Sequence, residues 1–192
     1  MWTGLASAHE GLHAESLRGL LKADALYLIV SWDKAGGDQA RLTRQRADSN
    51  RDGHLDKAER QAFLKGLEQS ALQRLRVVLD GANLTPWVRR SDGSGLWGPT
   101  SLTGPISASF QLRFDFVSGG GHELKMSMEP TGIADHVPTV LQLDPGMLLK
   151  ASNGRLVQRA KRPALEALLG KKRVLVLRFG SSSAKQSADQ HP

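Results

Sequence analysis

One twelve-residue stretch, residues 48–59, constrains this chain more than any other part of the sequence. Polar residues with side-chain oxygens alternate at its start, a glycine stands at position six, and a glutamate closes it at position twelve. The side-chain donors are Asp48, Asn50, Asp52, Asp56 and Glu59. This spacing fits the loop that surrounds a Ca²⁺ ion with about six to eight oxygens. The sequence therefore predicts a calcium site between two helices.

The remaining positions of the stretch fit the same interpretation. Gly53 allows the sharp turn after the alternating donors, because glycine has no Cβ. We expect His54 to bind through its backbone carbonyl, Asp56 through a water molecule, and Glu59 through both carboxylate oxygens. Leu55 is expected to turn inward and anchor the loop. The predicted ligands of Ca²⁺, the one expected cofactor, are Asp48, Asn50, Asp52, His54, Asp56 and Glu59.

The flanking segments favour helices. Residues 39–47 are predicted to form a short entering helix and residues 58–75 a longer exiting helix. Apolar residues recur at helical spacing in the exiting segment: Ala62, Phe63, Leu67, Ala71, Leu72 and Leu75. Over about residues 38–75 the chain resembles the EF-hand family, which implies calcium binding. No second loop of this type occurs, so we expect an unpaired loop of modest affinity.

Composition sets the class of protein. The chain has 192 residues, a hydrophobic content of 40%, no cysteine and a formal net charge of +7. It is long enough for one well-buried domain, and no apolar run is long enough to predict a membrane span. The basic residues are spread along the chain without an aromatic stacking platform, so nucleic acid is not the expected partner. A basic adaptor that binds an acidic partner stays open as an alternative.

Alternating apolar residues predict a mostly β protein. The best example is the segment 106–116, in which every second residue is apolar. Residues 163–169 are predicted to form a short helix after Pro163, and residues 91–105 a long loop. The predicted fold class is α+β, mostly β, with a β-sandwich-like body and the helix–loop–helix inserted at residues 38–75. We expect one such domain over residues 9–179.

The two ends are expected to lie outside that domain. Residues 1–8 end in Ala6-Ser7-Ala8, a small-residue pattern typical of signal-peptidase cleavage, and are interpreted as the remnant of a signal peptide. Residues 180–192 are polar without an apolar anchor and are predicted to be disordered. We therefore expect export.

Three segments together carry a wider resemblance: Asp48–Glu59, Leu75–Gly81 and Gly121–Met128. With them the chain resembles the extracytoplasmic N-terminal regions of bacterial transporter-like membrane proteins of the hydrogenase and urease accessory type. The resemblance implies a β-rich body in the periplasm or outside the cell. Since no membrane span occurs in the sequence, no transport role is carried over. The partner would be an extracytoplasmic or membrane protein.

Histidines near the N-terminus provide a different hypothesis. His9-Glu10-Gly11-Leu12-His13 has the spacing of a zinc-protease helix, but Gly11 disfavours a helix there. If cleavage follows Ala8, the new amine, the imidazole of His9 and His13 could hold Cu²⁺. A periplasmic module that handles copper or nickel is therefore an alternative to calcium binding. No nucleophile–base order or paired-carboxylate cleft stands out, so we predict that the protein is not an enzyme.

Overall fold

Strands make up most of the structure. The computed structural model describes residues 13–131, 134–159 and 162–181, and it contains fourteen strands and two helices in these ranges. The expectation of a mostly β protein is therefore confirmed. Within the same ranges, neither helix combines the length and the apolar composition needed to cross a membrane.

The elements follow one another along the chain with short connections. They are β1 His13–Leu21, β2 Ala25–Lys34, α1 Asp38–Ala47, β3 His54–Leu55, α2 Lys57–Arg74, β4 Leu75–Leu79, β5 Ala82–Asn83, β6 Trp87–Ser94, β7 Gly98–Pro99, β8 Ile106–Asp115, β9 His122–Met128, β10 Val137–Leu143, β11 Met147–Ser152, β12 Arg155–Arg159, β13 Arg162–Leu169 and β14 Leu175–Ser181.

These strands form two large sheets and one small one. The seven-stranded sheet has the order β12-β13-β10-β1-β2-β8-β6, and the five-stranded sheet has the order β11-β14-β9-β4-β5. Strands β1 and β10 are parallel, whereas the other pairs are antiparallel. The third sheet pairs β3 with β7 and lies beside the helices.

One hydrophobic core joins the two large sheets. In β8 every second residue is buried, from Ile106 to Phe114, and β9 buries Leu124, Met126 and Met128 in the same way. These side chains belong to a single cluster with those of β1, β2, β10 and β14. Each sheet thus has an inner face in the core and an outer face toward solvent, which is what period-two alternation produces.

Helix α2 packs against the inner side of the seven-stranded sheet. The ring of Phe63 contacts the ring of Trp32 on β2 edge to face, with 6.2 Å between the centroids. Further along the helix, the buried carboxylate of Glu68 accepts a hydrogen bond of 2.5 Å from the Ser91 hydroxyl on β6. These contacts with two strands fix the direction of α2. They thereby fix the position of the loop that precedes the helix.

The structure corrects two sequence predictions. Residues 163–169, predicted as a helix, lie in strand β13. Pro163 is accepted there because it pairs only with Gln158 of β12, while the pairing with β10 begins at Ala164. Residues 91–105, predicted as a loop, include the end of β6 and all of β7. In both segments, pairing with neighbouring strands outweighs the local propensity.

A buried ion pair connects the C-terminal end of α2 to the seven-stranded sheet. Glu15 of β1 accepts hydrogen bonds from Arg74 at 2.7 and 3.0 Å, and from the Thr131 hydroxyl at 2.9 Å. Burial alone would raise the pKa of Glu15, but the hydrogen bonds and charge of Arg74 and the bonds from Thr131 outweigh it. The pKa therefore lies below its usual value.

Replacing Glu15 by Gln should destabilise the protein in a pH-dependent way. Because the folded pKa is depressed, the carboxylate contributes stability above the unfolded pKa of about 4.3, and loses it as the pH falls through the folded pKa. We expect Glu15→Gln to lower the free energy of unfolding, measured in urea, by about 2 kcal/mol at pH 7 and by clearly less near pH 3.

The matched control is Asp115→Asn. It breaks the exposed pair between Asp115 and Arg113, and should cost less than about 1 kcal/mol. An equal loss of stability for Glu15→Gln at both pH values would contradict the assigned charge of Glu15.

Candidate metal centre

The predicted loop connects the two helices directly. Asp48 ends α1, where its N–H donates to the Arg44 carbonyl at 3.0 Å, and Asp56 is the N-cap of α2. The Asp56 side chain accepts from the Glu59 N–H at 2.8 Å, and the Glu59 side chain accepts from the Asp56 N–H at 3.2 Å. This reciprocal capping box means that two of the predicted ligands also define the start of the helix.

Glu59 reaches back across the whole loop. Its Oε1 accepts hydrogen bonds from the N–H of Ser49 at 2.8 Å, the hydroxyl of Ser49 at 2.9 Å and the N–H of Asn50 at 3.1 Å. The N–H of Asn50 above all, and then the donors of Ser49 and Asp56, lower the pKa of Glu59 despite its burial. A buried, ionised carboxylate therefore lies against the first turn of the loop.

Asp48 is the second buried carboxylate of the loop. Its side chain is shielded from solvent, and its Oδ2 accepts a hydrogen bond of 3.0 Å from the N–H of Gly53. Its Oδ1 is also buried, and it has no hydrogen-bond partner within the described ranges. A buried carboxylate oxygen without a partner is costly, and a cation beside it would remove that cost.

The other predicted ligands lie at the exposed side of the loop. Asn50 Oδ1 accepts from the N–H of Asp52 at 2.9 Å, and Asp52 Oδ1 accepts from the N–H of His54 at 2.8 Å. These side chains fold back onto the backbone in local turns. The six predicted residues thus share one loop, but among the residues that the structure describes no three His, Cys, Asp or Glu side chains converge as a metal-binding group.

Two residues of the loop have left-handed backbone conformations. Gly53, at the predicted turn position, has φ +85°, which glycine adopts without strain. Arg51 has φ +61°, which is uncommon for a residue with a Cβ. The tight turn that the spacing predicts is therefore present at position six.

The loop has a strand partner that the sequence does not reveal. Leu55 pairs with Gly98 and His54 with Pro99, and the Thr100 N–H donates to the Gly53 carbonyl at 2.9 Å. Leu55 is buried, as predicted for its inward turn. The expectation of an unpaired loop is therefore wrong at the level of the backbone, because β7 pairs with it.

A buried arginine holds the segment that contains this partner strand. Arg44 of α1 is 1% exposed and donates to the carbonyls of Gly95 at 2.7 Å, Leu102 at 2.8 Å and Gly104 at 2.9 Å. At Gly95, φ is +73° and a Cβ would lie 2.0 Å from the Pro105 oxygen, so only glycine fits. Helix α1 thereby fixes the shape of residues 95–105.

The same segment is also attached to α2. The Arg60 guanidinium carbon lies 3.1 Å from the ring centre of Trp97, which is 55% exposed. Such stacking of arginine on an indole is favourable even at the surface. Residues 95–105 therefore contact α1, the loop and α2 together, and a change in the loop can reach all three.

The alternative hypothesis concerns His9 and His13. His9 lies outside the described residues. His13, on β1, has its Nε2 at 2.7 Å from the Thr131 hydroxyl oxygen, and its ring lies 5.3 Å from the Trp32 ring. His122 Nδ1 lies 2.6 Å from an Asp80 carboxylate oxygen at the β4–β5 turn.

Sequence reasoning missed Ser49, Arg44 and Thr100. Position two of the loop can hold many residue types, so nothing in the pattern singles out Ser49. Arg44 stands four residues after the buried Ala40, on the same side of the helix. That spacing was the one available signal, and a lone arginine on a short helix is more often a solvated residue.

Comparison with known proteins identifies no relative, because no family model and no curated protein matches this chain.

Arg44→Met should loosen the segment around β7. It leaves the carbonyls of Gly95, Leu102 and Gly104 without their charged donor, and we expect a loss of about 3 kcal/mol in the free energy of unfolding. Amide exchange of Leu55 and Thr100 should accelerate in the same variant. The control is Arg41→Met on the exposed side of α1, where the ion pair with Asp38 contributes little. Equal effects of the two substitutions would contradict the role given to Arg44.

Proposed function

We propose that this protein is a non-catalytic, extracytoplasmic calcium-binding protein. One Ca²⁺ is bound by Asp48, Asn50, Asp52, the His54 carbonyl, Asp56 and Glu59, in an EF-hand inserted into a β-sandwich body. The observation that carries the proposal is the complete donor pattern between two helices, together with the buried, unpartnered Oδ1 of Asp48. The bound ion stabilises this region or a surface that contacts another protein.

The chemistry of the donors supports calcium over softer metals. All six proposed donors are oxygens, and no cysteine occurs in the chain. Carboxylate, amide and carbonyl oxygens suit Ca²⁺ and Mg²⁺, whereas thiolate and imidazole favour zinc and copper. A flexible loop with a carboxylate at position twelve favours the larger ion, because Mg²⁺ requires a strict octahedral shell.

The hydrogen bonds of the loop predict the cost of binding. For Glu59 Oε1 to face an ion, it must release the amides of Ser49 and Asn50, and the side chains of Asn50 and Asp52 must leave their turns. Arg51 and Lys57 add positive charge within the loop. These costs lower the affinity, and we expect a dissociation constant of roughly 10⁻⁵ to 10⁻³ M.

Calorimetry on protein stripped with EDTA tests the assignment. We expect one Ca²⁺ per chain, with a dissociation constant in the stated range. Glu59→Gln should abolish the binding heat, because position twelve supplies two of the oxygens. Glu123→Gln, on β9, is the control that leaves binding intact.

Because Glu59 also caps α2, Asp52→Asn serves as a second variant. It changes an exposed donor whose hydrogen bonds lie within the loop. We expect weaker binding with an unchanged circular dichroism spectrum. Unaltered binding heat in both loop variants, or a dissociation constant below about 10⁻⁷ M, would contradict the proposed site.

Calcium should act locally. The large sheets contain most of the core, and the loop contributes Leu55 as its buried apolar side chain. We expect hydrogen exchange in EDTA to rise over residues 38–75, while residues 110–116 stay protected. Cooperative unfolding of the whole chain on chelation would show instead that calcium is required for folding.

A further inference from the structure

The outer face of the seven-stranded sheet exposes several apolar side chains. Helix α2 and the five-stranded sheet pack against the inner face of this sheet. On the outer face, Ile29 is 41% exposed, Leu168 is 45% exposed and Trp87 is 69% exposed. Outward positions of a sheet that faces water are normally polar, so an exposed apolar group of this kind indicates a binding surface.

The strand registers place Trp87 and Ile29 in two adjacent rows. One row runs across the sheet through Gln142, Leu20, Tyr27, Arg113 and Trp87. The next row runs through Glu166, Val140, Arg18, Ile29 and Gln111. Val140 and Ile29 therefore flank Arg18 on the central strands of the sheet.

A groove lies where the two rows meet. Its volume is about 520 Å³, and its lining includes Arg18, Leu20, Tyr27, Ile29, Val140 and Gln142. This volume is within the range of small-molecule sites, about 300–1,000 Å³. The lining combines a hydrocarbon surface with a few polar groups, which is the composition of a site for an elongated, mostly apolar ligand.

The charges around the groove favour a ligand with a negative charge. Arg159 is paired with Glu166, and Arg113 with Asp115. Within residues 13–131, 134–159 and 162–181, Arg18 has no hydrogen-bond or ion-pair partner. A guanidinium on an apolar surface matches the fork geometry of a carboxylate and is weakly hydrated.

We propose that this groove binds a single-chain amphiphilic anion, namely a free fatty-acid carboxylate, with the carboxylate on Arg18 and the chain along Leu20, Ile29 and Val140. A second copy of the protein is a poor occupant, because the net charge is +7 and symmetry would bring Arg18 close to its own copy. The site is independent of calcium, since the loop lies with the helices.

Titration with submicellar decanoate tests the proposal by calorimetry on the full chain. We expect saturable binding of one decanoate, unchanged by EDTA. Arg18→Glu should weaken it by about tenfold or more, because it removes a charge-assisted bond and adds repulsion. Arg76→Glu, the same charge change on β4, should have no effect. Decanol should bind the wild type more weakly than decanoate and should be insensitive to Arg18→Glu.

Several results would overturn the proposal. One is the absence of saturable decanoate binding, and another is equal weakening by Arg18→Glu and Arg76→Glu. Binding only to phosphatidylglycerol vesicles would assign the positive charge to a membrane surface instead.

A photo-crosslinker attached to the cysteine of an Ile29→Cys variant identifies other occupants of the groove. The label goes to this one position, because the chain has no cysteine of its own. A crosslink to a second copy or to residues 1–12 of the same chain would give the groove a different occupant. We expect neither, and we expect decanoate to protect the label from solvent.

Discussion

The repulsion between four carboxylates within twelve residues is the constraint on which the account of this chain depends. Asp48, Asp52, Asp56 and Glu59 are close along the backbone, and two of them are buried. In the structure, backbone N–H groups of the loop and of α2 donate a hydrogen bond to each of the four carboxylates. One buried oxygen of Asp48 stays without such compensation. We propose that the loop is arranged for a cation, because its amides leave one buried oxygen of Asp48 unsatisfied.

The surroundings of the loop explain how a local site can influence the rest of the fold. Arg44 fixes residues 95–105 through three backbone carbonyls, and these residues pair with the loop through β7. The ring of Trp97 then contacts Arg60 on α2. At its far end α2 is tied to β1 by the ion pair of Arg74 with Glu15. Any movement of Glu59 is therefore coupled to the position of α2, which contributes Leu64 and Ala71 to the core of the two large sheets.

Much of the fold could be predicted from periodicity, and the errors have physical causes. Alternation predicted β8 and β9 because each buries one face, and the helix predicted to follow the loop from residue 58 begins at Lys57. Strand β13 was wrongly predicted as a helix, since its Ala, Leu and Glu residues favour helices and only pairing with β10 and β12 imposes the strand. The β3–β7 pair could not be predicted, because two residues on each side give no periodic signal. The donors of the proposed site come from the sequence pattern, whereas the position of the buried Arg44 depends on contacts far along the chain.

A structure from crystals grown in the presence of calcium gives the most direct test of the central claim. The account predicts an ion inside residues 48–59, with oxygens of Asp48, Asp52 and Glu59 at about 2.3–2.6 Å from it. It also predicts that Glu59 Oε1 has left the amides of Ser49 and Asn50. A loop without an ion at saturating calcium, with Glu59 still bonded to both amides, would contradict the account.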